Sequence, residues 1–438
     1  MKQVLQNYKT GELQIVEVPR PALKKGFILV QNIYSLLSVG TEKYMLEMAK
    51  KSFLGKAIAR PDLVKQVIAK MKTEGVVEAY RASMARLDNP VPLGYSCAGI
   101  VMNVGEDVQD FKNGDRVACA GSGYASHAEV VCVPQNLCVK IPENVDFESA
   151  SFVAVGGIAF QALRMANLTL GDRAAVIGLG LLGQITVQLL KSAGCHVFGV
   201  DLSQEKIRLA MEHGAEKGAI SGEEDITSSV RQFAPNGFDS VIIMAATENN
   251  EPLELAAEIA RERGRIVATG LVGLEVPRKI FFEKELEMVV SRAWGPGALD
   301  AIYSKKILDY PYAHARWTAR RNLEEFIHQL SDGSVKVKHL TTHRFPIEKA
   351  LEAYELVIKE KEPYIGVLIE YPGSTKSLSV SSYPLSEKVC TRTDQPITGN
   401  KSLPTPCIGV IGAGLFATTI LLPIIKSFKD VRLKGIAT

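Results

Sequence analysis

Apolar and polar positions alternate around Pro and Gly through residues 1–40, which predicts short strands. From 42 to 90 the pattern changes. EKYMLEMAKKSFLGKAIARPDLVKQVIAKMKTEGVVEAYRASMARL has helical spacing, interrupted at Gly55 and Pro61, with many Lys and Arg. It reads as a helical insertion. Strands return over 91–142 as GYSCAGIVMNVG, GDRVACAG and HAEVVCVP, punctuated as in a small β-barrel-like domain. Residues 150–170 read as a helix. From 174 to about 295 strands and helices alternate: RAAVIGLG, ITVQLLKSAG, HVFGVD, EKIRLAMEHG, FDSVIIMAA, LELAAEIARERG, RIVATGLVG. That alternation predicts a parallel, doubly wound sheet. Two helices (RRNLEEFIHQLSDG, IEKALEAYELVIKE) and a strand (YIGVLIEY) complete 296–370.

The first αβ junction carries the sharpest chemistry. Gly178, Gly180 and Gly183 in Ala174-Ala-Val-Ile-Gly-Leu-Gly-Leu-Leu-Gly183 have the spacing G-x-G-x-x-G. The first glycine permits a tight turn, the second lets backbone approach a pyrophosphate, and the third lets helix pack on strand. Leu179, Leu181 and Leu182 complete the phosphate turn at a helix N-terminus. Asp201 lies 18 residues past Gly183, at the end of the next strand. A carboxylate there accepts both ribose hydroxyls and repels a 2′-phosphate, so NAD(H) is expected over NADP(H). The alternative is a tight turn in an α/β domain without a ligand.

About half of residues 371–406 are Ser, Thr, Pro or Gly, a linker composition. After it, Cys407-Ile-Gly-Val-Ile-Gly-Ala-Gly-Leu-Phe-Ala417 repeats a strand and glycine turn, with Gly412, Gly414 and Ala417 in the small positions. An apolar helix and VRLKGIAT follow. One βαβ unit does not bury both faces of its strands. The expectation is the start of a second Rossmann domain in a longer protein, or a short unit that docks on the first.

At 438 residues, two or three domains are expected. A net charge of +3 gives no reason to invoke nucleic acid or an anionic membrane. No apolar run approaches membrane-spanning length, and the seven scattered cysteines form no C-x-x-C pair. A reducing, cytoplasmic setting fits best.

Several segments carry a family resemblance. Val39-Gly-Thr-Glu42 looks like the Cys-Gly-Thr/Ser-Asp of the medium-chain dehydrogenase/reductase family, the alcohol dehydrogenase-like proteins. Leu93-Gly-Tyr-Ser96 looks like its Gly-His-Glu, and GIVMNVGEDVQDFKNGDRV and NLTLGDRAAVIGLGLLG are similar to its strand segments. The segment 407–438 resembles the start of the glucose-fructose oxidoreductase/inositol dehydrogenase-like family. The fusion is similar to bacterial bi-domain oxidoreductases, which are associated with polysaccharide and nucleotide-sugar gene clusters. The resemblance implies an α/β fold class with five segments. These are a GroES-like β-barrel-type catalytic domain (1–150, insertion 42–90), a Rossmann NAD(P)-binding domain (151–295), a return to the catalytic domain (296–370), a linker (371–406), and the first βαβ of a truncated second Rossmann domain (407–438). It also makes a homodimer an expectation.

The departures from the pattern are informative. Zinc members need three protein ligands. Those positions hold Val39, Tyr95 and Ala154 here, and the four-cysteine zinc lobe is missing. We therefore expect no zinc. His127 and Cys119 are read as a satisfied core histidine and a buried thiol. Without metal, hydroxyls must serve the carbonyl. Tyr95 is the first acid/base candidate, against the alternative of an aromatic that fills the vacated space. Thr41 matches the family's proton-relay hydroxyl, against a backbone-bonded turn hydroxyl. Glu42 reads as structural. The resemblance places Thr247 near the adenosine-to-nicotinamide crossover, and Gly270 and Leu271 where backbone meets the carboxamide. Trp294-Gly-Pro-Gly297 and Arg316-Trp317 either stack a sugar ring or are turns and core. The basic insertion either meets a substrate phosphate or is a solvated face. The expected function is a zinc-independent NAD(H)-dependent oxidoreductase acting on a small-molecule sugar or nucleotide sugar. A quinone or enoyl reductase and a non-catalytic dinucleotide-binding scaffold are the alternatives.

Overall fold

The computed structural model describes residues 1–8, 10–50, 90–222 and 226–372, together with the backbone of 407–411 and 432–437. Contacts divide the chain into two units. One holds Met1–Gln6, Thr10–Lys50 and Val91–Ser377, and the other holds Asn7–Lys9, Lys51–Pro90 and Leu378–Thr438. Everything below on side chains concerns the first.

The period-two segments form β1 (Lys2–Asn7), β2 (Leu13–Glu17), β3 (Phe27–Leu37), β4 (Pro90–Pro92), β5 (Ser96–Val104), β6 (Arg116–Ala120), β7 (Val130–Pro134) and β8 (Cys138–Lys140). The alternating segments contribute β9 (Arg173–Ile177), β10 (His196–Asp201), β11 (Lys217–Ile220), β12 (Phe238–Ile243), β13 (Ala260–Ala268) and β14 (Glu287–Val290). The return adds β15 (Thr341–Pro346) and β16 (Gly366–Glu370).

β3 organises the first sheet. It pairs antiparallel with β5 and β16, and with β7 through Phe27–Gln31. The full order is β15-β16-β3-β5-β6-β8. One strand with three partners bends the sheet around a core of Ile28, Val30, Leu36, Val101, Val117 and Val139, all at most 2% exposed. Residues 341–370 thus rejoin the N-terminal sheet although the whole α/β layer intervenes in sequence.

The second sheet has the order β11-β10-β9-β12-β13-β14, every pair parallel. β9, β10 and β12 are buried on both faces, which explains their continuous apolar runs. The strand order reverses between β9 and β12. In open α/β sheets the crevice outside the carboxyl ends at such a switch point is where ligands bind.

Two local readings change. The LELAAEIARERG helix ends at Ile259, and Ala260–Ala268 is strand. Arg263 has φ 56°, which a helix does not accommodate. Lys284 Nζ donates to the carbonyls of Ala257, Glu258 and Ala260 at 2.9, 2.7 and 2.8 Å, satisfying the helix end. The helix expected from 42 starts at Val39 and is described to Lys50, so Thr41 and Glu42 sit in its first turn. The rest of the insertion, 51–89, lies outside the described residues. Near the C-terminus, β17 (Cys407–Ile411) and β18 (Arg432–Ala437) pair in parallel, the pairing a βαβ unit requires. Gly412, Gly414 and Ala417 lie outside the described residues.

Candidate active site

The carboxyl ends of β9, β12 and β13 meet around the glycine turn. Gly178 has φ +93°, and a Cβ on it would sit 2.5 Å from the Ala245 nitrogen, just past β12. A Cβ on Gly183 would sit 2.0 Å from the Gly178 carbonyl oxygen. Only glycine permits these two approaches. No protein atom lies within 4 Å of a Cβ built on Gly180, the N-cap of helix Leu181–Ser192. That side of the turn is open for a phosphate, and the first N–H groups of the helix have no intrahelical acceptor. Leu179 is fully buried and packs on Gly199, while Leu181 and Leu182 are partly buried, so these three would meet a phosphate through backbone alone.

Asp201 ends β10 beside that turn. Its Oδ2 accepts from Leu179 N at 2.7 Å and its Oδ1 from Ser203 N at 3.0 Å. Each oxygen keeps a lone pair for a ribose hydroxyl. Lys206 Nζ stands 3.9 Å from Oδ1. Thr247 N donates to the Leu271 carbonyl at 2.7 Å, and Gly270 N to that of Ile243 at 2.9 Å. The loops after β12 and β13 are thereby tied together, with the Leu271 side chain half-exposed.

The hydroxyls of Thr269 and Ser291 and the indole N–H of Trp294 are buried with no hydrogen-bond partner among the described residues. All three follow the carboxyl ends of β13 and β14. An unpaired buried polar group costs about 1–3 kcal/mol, so this end of the sheet is built for added polar atoms. Together with the glycine turn and Asp201, these residues fit a nicotinamide dinucleotide.

Tyr95 is 7% exposed and its hydroxyl donates to Ser38 Oγ. Its ring lies on Trp294, centroids 6.0 Å apart and planes 15° from parallel. Thr41, exposed on the first turn of its helix, lies near enough to the phenol to act on its pKa. Burial raises the Tyr95 pKa above its ordinary value. The Ser38 hydrogen bond and the neighbouring Thr41 pull it back, and the Glu42 charge adds to the rise. At neutral pH the group is a hydrogen-bond donor.

Behind Tyr95 runs a polar chain that the sequence did not reveal. Glu42 is 1% exposed; its Oε1 accepts from Ser38 N at 2.9 Å and its Oε2 lies 3.2 Å from His127 Nε2. The Tyr354 hydroxyl donates to the same Oε2. His127 Nδ1 is 2.7 Å from Ser35 Oγ, which is 2.7 Å from the Tyr371 hydroxyl. His127 is therefore a fully bonded core histidine. Cys119 is a buried thiol 3.6 Å from Cys138.

Val39 and Ala154 offer no donor atom, and the Tyr95 hydroxyl is engaged with Ser38. This trio does not make a zinc donor set. Among the described residues no other group of three His, Cys, Asp or Glu side chains is placed to hold a metal ion. The two aromatic points do not offer open ring faces. Trp294 is buried against Tyr95, and Trp317 is covered by the Arg164 and Arg316 guanidiniums.

Two family models match the chain: the alcohol dehydrogenase GroES-like domain over residues 63–143 and the zinc-binding dehydrogenase over residues 182–300. An alcohol dehydrogenase of Geobacillus stearothermophilus is 29% identical, over 53% of this chain and 78% of its own length. Galactitol-1-phosphate dehydrogenase of Escherichia coli has the same fold, with a TM-score of 0.63 at 19% identity, covering 84% of this chain and all of that one (100%). An alcohol dehydrogenase of Escherichia coli CFT073 solved with NADH has a TM-score of 0.63 at 21% identity, covering 84% of this chain and 99% of its own.

Proposed function

We infer that this chain, a medium-chain alcohol dehydrogenase-like oxidoreductase, works on a hydroxyl or carbonyl of a sugar, sugar alcohol or nucleotide sugar, with NAD(H) and without zinc. The observation that carries the reading is a buried phenol held by Ser38, with the exposed Thr41 near it, close to the carboxyl ends of a dinucleotide-type sheet. Gly178, Gly180 and Gly183 would cradle the pyrophosphate, and Asp201 would hold the adenosine ribose. A bound nicotinamide would supply or take up the hydride. In reduction the Tyr95 O–H would turn from Ser38 Oγ to the substrate oxygen and give it a proton. Thr41, exposed and near the phenol, is the hydroxyl through which Tyr95 would regain a proton from solvent. Ser38 holds the phenol in place, and Glu42 holds Ser38 through its backbone N–H. In oxidation each transfer runs in reverse.

Asp201 supports NAD(H) over NADP(H) through like-charge repulsion of a 2′-phosphate. The zinc-free reading rests on Val39, Tyr95 and Ala154. Galactitol-1-phosphate dehydrogenase, a structural neighbour, supports a polyhydroxylated substrate. β14 ends its sheet with Val290 59% exposed, and a homodimer across that edge belongs to the same proposal.

The test is turnover of sugar alcohols, ketoses and nucleotide sugars, read by NADH absorbance. Tyr95→Phe is expected to lower kcat by roughly 10²–10⁴-fold, the range for a general acid, while NADH affinity holds. A chelator is expected to leave the rate unchanged. Wild-type turnover in Tyr95→Phe would remove the acid/base assignment, and loss of activity in the chelator would restore a metal.

A further inference from the structure

Around Trp317 two guanidiniums gather with no ion pair among the described residues. The Arg164 guanidinium carbon lies 3.2 Å from the Trp317 ring centroid and that of Arg316 lies 3.7 Å from it. Two guanidiniums that close to one ring must take its two faces. Arg316 also lies 4.9 Å from the Tyr312 ring. Arg164 donates from Nε to Asn322 Oδ1 at 2.8 Å, a neutral acceptor. Among the described residues neither arginine has a carboxylate within ion-pair distance, although many other arginines of this unit are paired. Burial holds the Arg164 pKa down at about 10, with the charge of Glu325 raising it and that of Arg316 lowering it. Two guanidiniums held together with no carboxylate in direct contact are an arrangement that an anion relieves.

A second feature points the same way. Asn322, which accepts from Arg164, has its Nδ2 3.4 Å from Gln161 Oε1. Gln161 and Met165 line a cavity of about 540 Å³ whose wall includes Arg292, a third arginine, itself exposed, with no ion pair among the described residues. Asn322 Nδ2 also donates to the Trp294 carbonyl at 3.0 Å, and Trp294 stacks on Tyr95. A chain of direct contacts thus runs from the arginines to the candidate acid.

We propose that Arg164 and Arg316, clamped on the two faces of Trp317, form a phosphate-binding site that anchors a substrate's phosphate or diphosphate group. Planar guanidiniums give paired N–H donors to phosphate oxygens, and stacking on the indole fixes their planes. The phosphate site stands apart from the hydride-transfer reading, since it requires binding and no turnover. A sugar phosphate and a nucleotide sugar both bring the required group.

The test is calorimetric titration of the full chain with inorganic phosphate and with pyrophosphate, at low ionic strength and with saturating NADH so that the glycine turn is occupied. Binding by wild type is expected, with at least tenfold weaker affinity in Arg316→Gln and a smaller loss in Arg316→Lys, which keeps the charge but not the stacked planar fork. Arg316 is exposed, so this variant does not put the fold at risk. Tighter binding of phosphate assigns a sugar-phosphate type of ligand, and tighter binding of pyrophosphate a nucleotide-sugar type. No binding by wild type, or equal affinity in wild type and Arg316→Gln, overturns the site. Because variants decide it, the result is separable from any failure of turnover or of NADH binding.

Discussion

Glu42 shows how a single buried carboxylate holds the candidate site together. Its three partners come from different places: Ser38 N just before its own helix, His127 on the loop before β7, and Tyr354 on helix Ala350–Lys359. Removing one member of such a buried set leaves the others desolvated and unpaired. Glu42→Ala is expected to cost about 3–5 kcal/mol of unfolding free energy, read from the urea midpoint, with Glu42→Gln costing less because it keeps an acceptor for Ser38 N. A change within experimental error in Glu42→Ala would mean that the network carries no stability. Tyr95 makes a pH prediction at the same scale. Its pKa is raised chiefly by burial, so its proton is lost only above the ordinary tyrosine range. The rate of carbonyl reduction should therefore stay level through neutral pH and fall only beyond that range. A descending limb near pH 7 would assign the proton to another group.

At the scale of elements, the glycine turn and the strands beside it were legible because their reasons are local. Gly178 and Gly183 are demanded by contacts to Ala245 and within the turn itself, and the spacing shows it. The end of the helix at Ile259 was not legible, since the stretch LELAAEIARERG is helix-compatible throughout. At its end Lys284 reaches back from a later helix to take the carbonyls of Ala257 and Glu258, together with that of Ala260 just beyond. The Glu42 network was hidden for the same reason. His127 and Tyr354 lie 85 and 312 residues away, and neither sits in a motif. Asp201 was legible as an acid after a strand, but its bonds to Leu179 N and Ser203 N were not. They give the carboxylate a fixed direction before any ribose arrives.

Across the whole first unit, the α/β layer and the returning chain meet at a histidine pair. His213 follows helix Gln204–Glu212, and His339 lies in the short turn Lys338–Leu340 that leads into β15. Their rings stack with centroids 3.5 Å apart and planes 9° from parallel. Burial, then the charges of His213 and Lys336, pushes the His339 pKa down from 6.5 to about 4. The folded state therefore binds fewer protons than the unfolded chain between those values, and stability falls as pH drops through that window. With partial exposure discounted, the loss is about 2 kcal/mol between pH 7 and pH 4. Thermal melts across this range should show it, and His339→Gln should remove that part of the slope. An unchanged slope in the variant would place the titration elsewhere.

The central claim is a working NAD(H) site at the switch point, oriented by Asp201. The measurement that tests it most directly is a fluorescence titration of the full chain with NADH and with NADPH, repeated on Asp201→Ala. The account predicts clear preference for NADH and at least a tenfold loss of NADH affinity in the variant, a loss of about 1.4 kcal/mol or more. Preference for NADPH, or equal NADH affinity in wild type and Asp201→Ala, would contradict it.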